Sequence, residues 1–190
     1  MCRYGMSTYK PHYACFNCRK TFKRRLLKDI QGGYSKDDIE TLAKCPDCSE
    51  MMADMGLDFE APKKNNHKAW EHMALLYKVA ITFHSCGCSG PGYIPRNPKE
   101  LIEHFERIKE TYIEHQSFWA RRRGDPESQS EIAKDRHKNA RFIYSLPIES
   151  RKGTKNKPQY DASNAQKFWQ QRILEIEAKI NTVTKSELYS

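Results

Sequence analysis

Two C-x-x-C pairs, Cys15-Phe16-Asn17-Cys18 and Cys45-Pro46-Asp47-Cys48, constrain this chain more than any other feature. Two thiolates three positions apart can grip one ion from a tight turn whose backbone N–H groups offset the sulfur charge. Two such turns, here separated by twenty-six residues, complete a tetrahedral shell of four sulfurs. Zinc suits this donor set best, and iron in a rubredoxin-like site uses the same ligand pattern. Buried structural thiols or independent redox pairs are the alternatives; two matched turns favour the ion. A filled four-sulfur shell has no open position for water or substrate. Such a metal is structural, folding a segment too poor in apolar residues to fold alone.

Three further cysteines bring the total to seven. The N-terminal Met1-Cys2-Arg3-Tyr4-Gly5 lacks the apolar run of a signal peptide, and no apolar stretch reaches the roughly 18 residues needed to span a bilayer. A cytoplasmic protein without membrane contact is expected, with cysteines serving as thiols or metal ligands rather than disulfides.

The formal net charge is +9 and is unevenly placed. Residues 1–34 hold eight Lys/Arg against Asp29 alone, a net +7; residues 35–62 hold two bases and eight acids; residues 121–165 hold eleven bases and six acids, a net +5. Two basic segments around an acidic one suit an anionic partner better than a uniform solubility surface.

Residues 1–62 read as a zinc ribbon. Inside it, Ser35-Lys36-Asp37-Asp38 resembles a capping box that opens a short helix to about Lys44. Residues 63–120 read as a helical hairpin. Its first helix is capped by Asn66 and runs from about His67 to Phe83, with Trp70, Met73, Ala74, Tyr77 and Ile81 at helical spacing. A glycine- and cysteine-rich loop, 84–92, follows. Asn97-Pro98-Lys99-Glu100 then starts a second helix carrying Leu101, Phe105, Ile108, Tyr112, His115 and Trp119. Residues 121–163, polar and charged around the island Phe142–Ile148, read as a basic flexible or partner-ordered linker. Residues 164–190 form a C-terminal amphipathic helix whose stripe, Trp169, Ile173, Ile176, Ile180 and Val183, needs the protein body or a second copy to cover it.

Around the first cysteine turn, Tyr9, Tyr13, Phe16 and Phe22 interleave with Lys20, Lys23, Arg24 and Arg25. Aromatic faces stack on bases and cations bind phosphates, a mixture suited to RNA. Tyr13, Phe16 and Phe22 can instead simply pack the ribbon. Arg121, Arg122 and Arg123 supply a second set of phosphate contacts. His84, Cys86 and Cys88 are a possible second metal or redox site, with Cys2, His12, His67 or His72 available to complete it. Packed thiols in a glycine-rich turn are the simpler reading, because no local sequence offers an orienting acid or oxyanion site for a nucleophile. His67 and His72, five apart, are expected on the surface.

The order Tyr13-x-Cys15-x-x-Cys18, Cys45-Pro46-x-Cys48, Met55-Gly56-x-x-Phe59-x-Ala61-Pro62, Ala69-Trp70 and Phe83-His84-Ser85-Cys86-Gly87-Cys88-x-Gly90-Pro91-Gly92-Tyr93-x-Pro95-Arg96 resembles a group of small uncharacterised bacterial zinc-ribbon proteins over residues 12–100. The resemblance implies a ribbon packed against the helix at Trp70 and transfers no activity. Ser49 stands where many such ribbons carry glycine.

The sequence therefore predicts an α+β protein: a zinc ribbon packed against a helical hairpin, with a basic extension and a C-terminal amphipathic helix. The expected function is non-enzymatic binding of RNA or of a nucleoprotein machine such as the ribosome. A protein-interaction adaptor using the ribbon and residues 164–183, self-association included, is the alternative. A thiol or metal-dependent enzyme centred on His84, Cys86 and Cys88 is the third reading.

Overall fold

In the computed structural model the described residues are 10–23, 43–85, 89–154 and 156–188. The short helix expected from Ser35 to Lys44 lies outside them, apart from its last two residues. The fold is mixed, with helices joined to small antiparallel sheets. The chain divides into two compact units, Met1–Pro98 and Lys99–Ser190.

In the first unit, strands β1 (His12–Cys15), β2 (Lys20–Lys23) and β3 (Ala53–Gly56) form an antiparallel sheet in the order β2-β1-β3. Alternation along central β1 sends successive side chains to opposite faces. Tyr13 and Cys15 go to one face, with Cys45, Met52 and Phe22. Ala14 goes to the other, with Ala53, Met55, Phe59 and Trp70. Both faces are covered, which is why Tyr13, Ala14 and Cys15 are all buried.

Trp70 comes from helix α1 (His67–Lys78), so the sheet packs against that helix. Asn66 caps α1, its side-chain oxygen accepting from Ala69 N at 3.2 Å. The helix stops at Lys78, five residues before the expected end. Ala80 takes a left-handed φ of 60°, and Ala80 N donates to Tyr77 O while Ile81 N donates to Leu76 O. That is a Schellman closure with alanine where glycine usually sits. The apolar period continues through Phe83, but Ile81–Ser85 are not helical. Phe83 N donates to Met55 O at 2.7 Å and Asp58 N to Phe83 O at 3.1 Å, so this segment lies beside the end of β3. Its approach is close: a Cβ on Gly56 (φ +91°) would come within 2.5 Å of the Phe83 and His84 backbone.

His72, expected on the surface, is buried, and its Nε2–H donates to Pro95 O at 2.8 Å. A returning loop carbonyl satisfies one ring nitrogen there, which the helical wheel could not reveal. His67 is exposed as expected.

The second unit holds helices α2 (Pro98–Arg121), α3 (Gln129–Tyr144) and α4 (Ala162–Leu188), and a hairpin of β4 (Arg151–Thr154) and β5 (Lys157–Tyr160). Within this unit α2 pairs antiparallel with α4. Lys109 meets Glu177 at 3.3 Å, Gln116 meets Gln170 at 2.6 Å, and Gln166 reaches Trp119 O at 3.5 Å. The two helices, 24 and 27 residues, are of similar length. Trp119, Ile143, Leu146, Ala165 and Trp169 form the core. Trp169 of the α4 stripe joins this core, and Ile173, Ile176 and Val183 are buried as well.

Residues 121–163, expected as a flexible linker, instead carry α3, a 3-10 turn (Ile148–Ser150) and the hairpin. Few apolar residues are needed because polar contacts organise the segment. Ser128 and Glu131 form a reciprocal capping box at the start of α3. Arg122 is clamped between Asp135 (2.8 Å) and Asp125 (3.4 Å) beneath the Trp119 and Tyr160 rings. Phe142 and Leu146 of the apolar island dock on the core, inside α3 and just after it, rather than as a strand.

Candidate metal centre and nucleic-acid interface

The first cysteine turn links β1 to β2. Cys15 closes β1, and Cys18 N reaches back to Cys15 Sγ at 3.4 Å. The second turn is held by its own small ladder: Lys44 bridges Met51, Met52 N donates to Ala43 O, and Cys45 N donates to Glu50 O. After each turn the chain is left-handed at a residue that is not glycine, Arg19 (φ 52°) and Ser49 (φ 62°). The conformation that glycine favours is therefore kept, and all four thiols stay in place.

The four Sγ atoms lie within 4.8 Å of one another, with Cys15–Cys48 at 3.6 Å and Cys18–Cys45 at 4.0 Å. All four are free thiols. A tetrahedral ion with bonds of about 2.3 Å sets its sulfurs about 3.8 Å apart, and the observed separations bracket that value. The cluster could hold a metal ion.

Without an ion the thiols share protons unequally. The Cys48 thiol, with burial, pushes Cys18 up to about 12. Burial opposes ionisation of Cys45, but the Asp47 and Cys48 backbone N–H groups outweigh it and bring this thiol down to about 7. One sulfur is ready to ionise while its neighbour holds a proton, so binding an ion must displace protons.

Lys20 forms an ion pair with Asp47, tying the first turn to the second, and that carboxylate raises the ammonium pKa. Of the expected phosphate contacts near the turn, Lys20 thus already has an acid partner, and Lys23 is exposed at the end of β2. Phe16 faces inward, against Trp70 and Tyr77 at centroid distances of 6.4 and 6.0 Å. Its ring serves packing rather than a base, and Tyr13 and Phe22 also join the ribbon interior. Tyr9, Arg24 and Arg25 lie outside the described residues.

Arg122 is the clearest revision among the basic residues: its side chain is only 8% exposed and serves the interior. Arg121 and Arg123, on either side, are exposed. A helical end followed by a turn sends consecutive residues in different directions, so a run of three arginines does not make one patch.

Cys86 and Cys88 lie outside the described residues. His84 is exposed, with Nε2 3.6 Å from Asp54 Oδ1. Its segment meets the ribbon at Gly56, which pairs with His12, three residues and about 10 Å along β1 from Cys15. His84 thus sits beside the sheet at the end of β1 away from Cys15. Among the described residues, the four cysteines are the only grouping of potential metal ligands.

Helix α3 was missed in the sequence, and with it the exposed Lys134, His137, Lys138 and Arg141. The available signal was Ser128-x-x-Glu131, a capping box ahead of Ile132. No helix among the described residues is long and apolar enough to cross a membrane. Comparison with protein-family models, curated proteins and solved structures gave no match to this chain.

Proposed function

We propose that this chain is a non-enzymatic zinc-ribbon protein that binds RNA or a ribonucleoprotein machine such as the ribosome. The observation that carries the reading is the closed cluster of Cys15, Cys18, Cys45 and Cys48. Four sulfurs at tetrahedral spacing fill the shell of a zinc ion and leave no position for substrate, so the metal's work is to hold the ribbon. The net charge of +9 then favours a polyanionic partner. Lys23, Arg24, Arg25, Arg121 and Arg123 are the cations assigned to phosphate, with Tyr9 assigned to stacking. Lys20 contributes less because Asp47 already neutralises it, and Arg122 and Phe16 are withdrawn from the interface.

Elemental analysis and salt-titrated RNA binding test this together. One zinc per chain is expected, and reversing Lys23, Arg24 and Arg25 to glutamate should weaken binding and flatten its salt dependence. Unchanged affinity and slope would reduce the ribbon patch to a solvated face. Purification free of nucleic acid, read from the ultraviolet absorbance ratio, would favour the adaptor reading. Two zinc ions per chain would return attention to His84, Cys86 and Cys88.

A further inference from the structure

We infer that the outer face of α3 is a second RNA-contacting surface, specific for single strands, with Lys134, Lys138 and Arg141 on phosphates and Tyr144 as a stacking platform. This rests on the RNA-binding reading and names a surface that reading did not include. Positions 134, 137, 138, 141 and 144 are all exposed. Lys134, His137 and Lys138 precede a kink at Asn139 (φ −112°, ψ 18°), and Arg141 and Tyr144 follow it. The inner face of the same helix is spent on Ile132, Asp135 and Ile143, so the outer side chains are not required for packing.

The acids near these positions are already occupied. Glu131 accepts from the backbone N–H groups of Ser128 at 3.0 Å and Glu127 at 3.3 Å. Glu114 pairs with Arg141 at 2.9 Å, so Arg141 contributes less than the two lysines. Among the described residues no acid lies within ion-pair distance of Lys134 or Lys138.

Tyr144 decides the kind of RNA. It ends α3 with the residue 62% exposed, an unusual place for a large ring. Its backbone is fixed: Arg151 donates to Tyr144 O at 2.9 Å and through Nε to Leu146 O at 2.9 Å. An exposed ring on a fixed backbone, near these cations, offers a base a stacking face, and only an unpaired base can use it. The hairpin adds a further cation at its tip. Gln129 Nε2 donates to Asn156 O at 3.0 Å, which anchors exposed Lys157 near the start of α3.

The test uses the full chain and a fluorescein-labelled, uridine-rich single-stranded RNA, read by anisotropy across a salt series, with the matching RNA duplex as comparator. Replacing Lys134 and Lys138 together by glutamine should lower affinity and reduce the slope of log K against log salt by about 1.4. Tyr144→Ala should cost about 10-fold in affinity and leave the slope unchanged. Circular dichroism confirms that these surface variants stay folded. Wild-type binding with all three substitutions silent overturns the α3 surface while leaving the ribbon reading intact. Tighter binding to the duplex with Tyr144→Ala silent overturns the stacking assignment. No RNA binding by the wild-type chain overturns both readings.

Discussion

Arg122 carries more of the second unit's integrity than its neighbours in the same arginine run. Asp135 is held below the usual carboxylate range: burial pushes it up, but Arg122 and Asn139 together outweigh that. Arg122→Ala leaves this partly buried carboxylate with Asn139 as its remaining close donor and should cost about 2–3 kcal/mol. Arg121→Ala and Arg123→Ala, at exposed positions, should stay within about 0.5 kcal/mol; urea titration of the three variants checks the contrast. Ser49 makes the opposite case. A serine at φ 62° bears a left-handed strain that glycine escapes, so Ser49→Gly should stabilise the metal-loaded ribbon by about 0.5–1 kcal/mol, read as a raised thermal midpoint. His115 gives the acid response of the second unit. Burial first, then Arg141, lowers its pKa below the ordinary 6.5, with Glu114 opposing, while Ser145 Oγ accepts from its Nδ1–H at 3.0 Å. Because the folded state prefers the neutral ring, its contribution is complete above about pH 6.5 and is lost as pH falls from there towards the lower folded value. His104, lowered by burial and Arg107, acts in the same sense. Thermal midpoints should drop between pH 7 and 5, and His115→Gln should make the drop shallower.

Element by element, local order follows whichever interactions close each piece. Gly56→Ala tests the docking of 81–85 beside β3: with 2.5 Å to the Phe83 and His84 backbone there is no room for a methyl, so the segment must detach. Hydrogen exchange at the Phe83 and Asp58 amides, which bond across this junction, should rise sharply. The cysteine turns, α2 and the stripe of α4 were legible in the sequence because each has a rule with a fixed period or spacing. Trp169, Ile173, Ile176 and Val183 are buried as that period requires. The end of α1 was not legible, because its stop signal is an alanine in a glycine's conformation and the apolar period ran on past it. Nor was α3, whose buried apolar residues are only Ile132 and Ile143. Its capping box was a local signal, but its position is set by the Arg122–Asp135 pair, a polar contact across the sequence that no hydrophobic period records. The four-cysteine cluster could be read residue by residue; the fate of Phe16 could not, since its neighbours Trp70 and Tyr77 come from another element.

For the molecule as a whole, the two units rest on different foundations. The first has four thiols on one side of its sheet and an apolar cluster around Trp70 on the other, whereas the second has an aromatic core around Trp119 and Trp169. Metal removal by a strong chelator should therefore abolish hydrogen-exchange protection in β1, β2 and β3 while the amides of α2 and α4 remain protected. Loss of protection in both units at once would show that the metal's influence reaches the whole chain. The antiparallel pairing of α2 with α4 also bears on how the protein is made. Lys109 must wait for Glu177, and Gln116 for Gln170, before either finds its partner. At translation rates of about 5–20 residues per second, the growing chain carries the uncovered stripe of α2 for roughly 3–14 s. Synthesis thus leaves the residues of the ribbon ready to fold early and makes the second unit dependent on the last helix to emerge, an interval in which a nascent-chain chaperone would find Phe105 and Trp119 within reach.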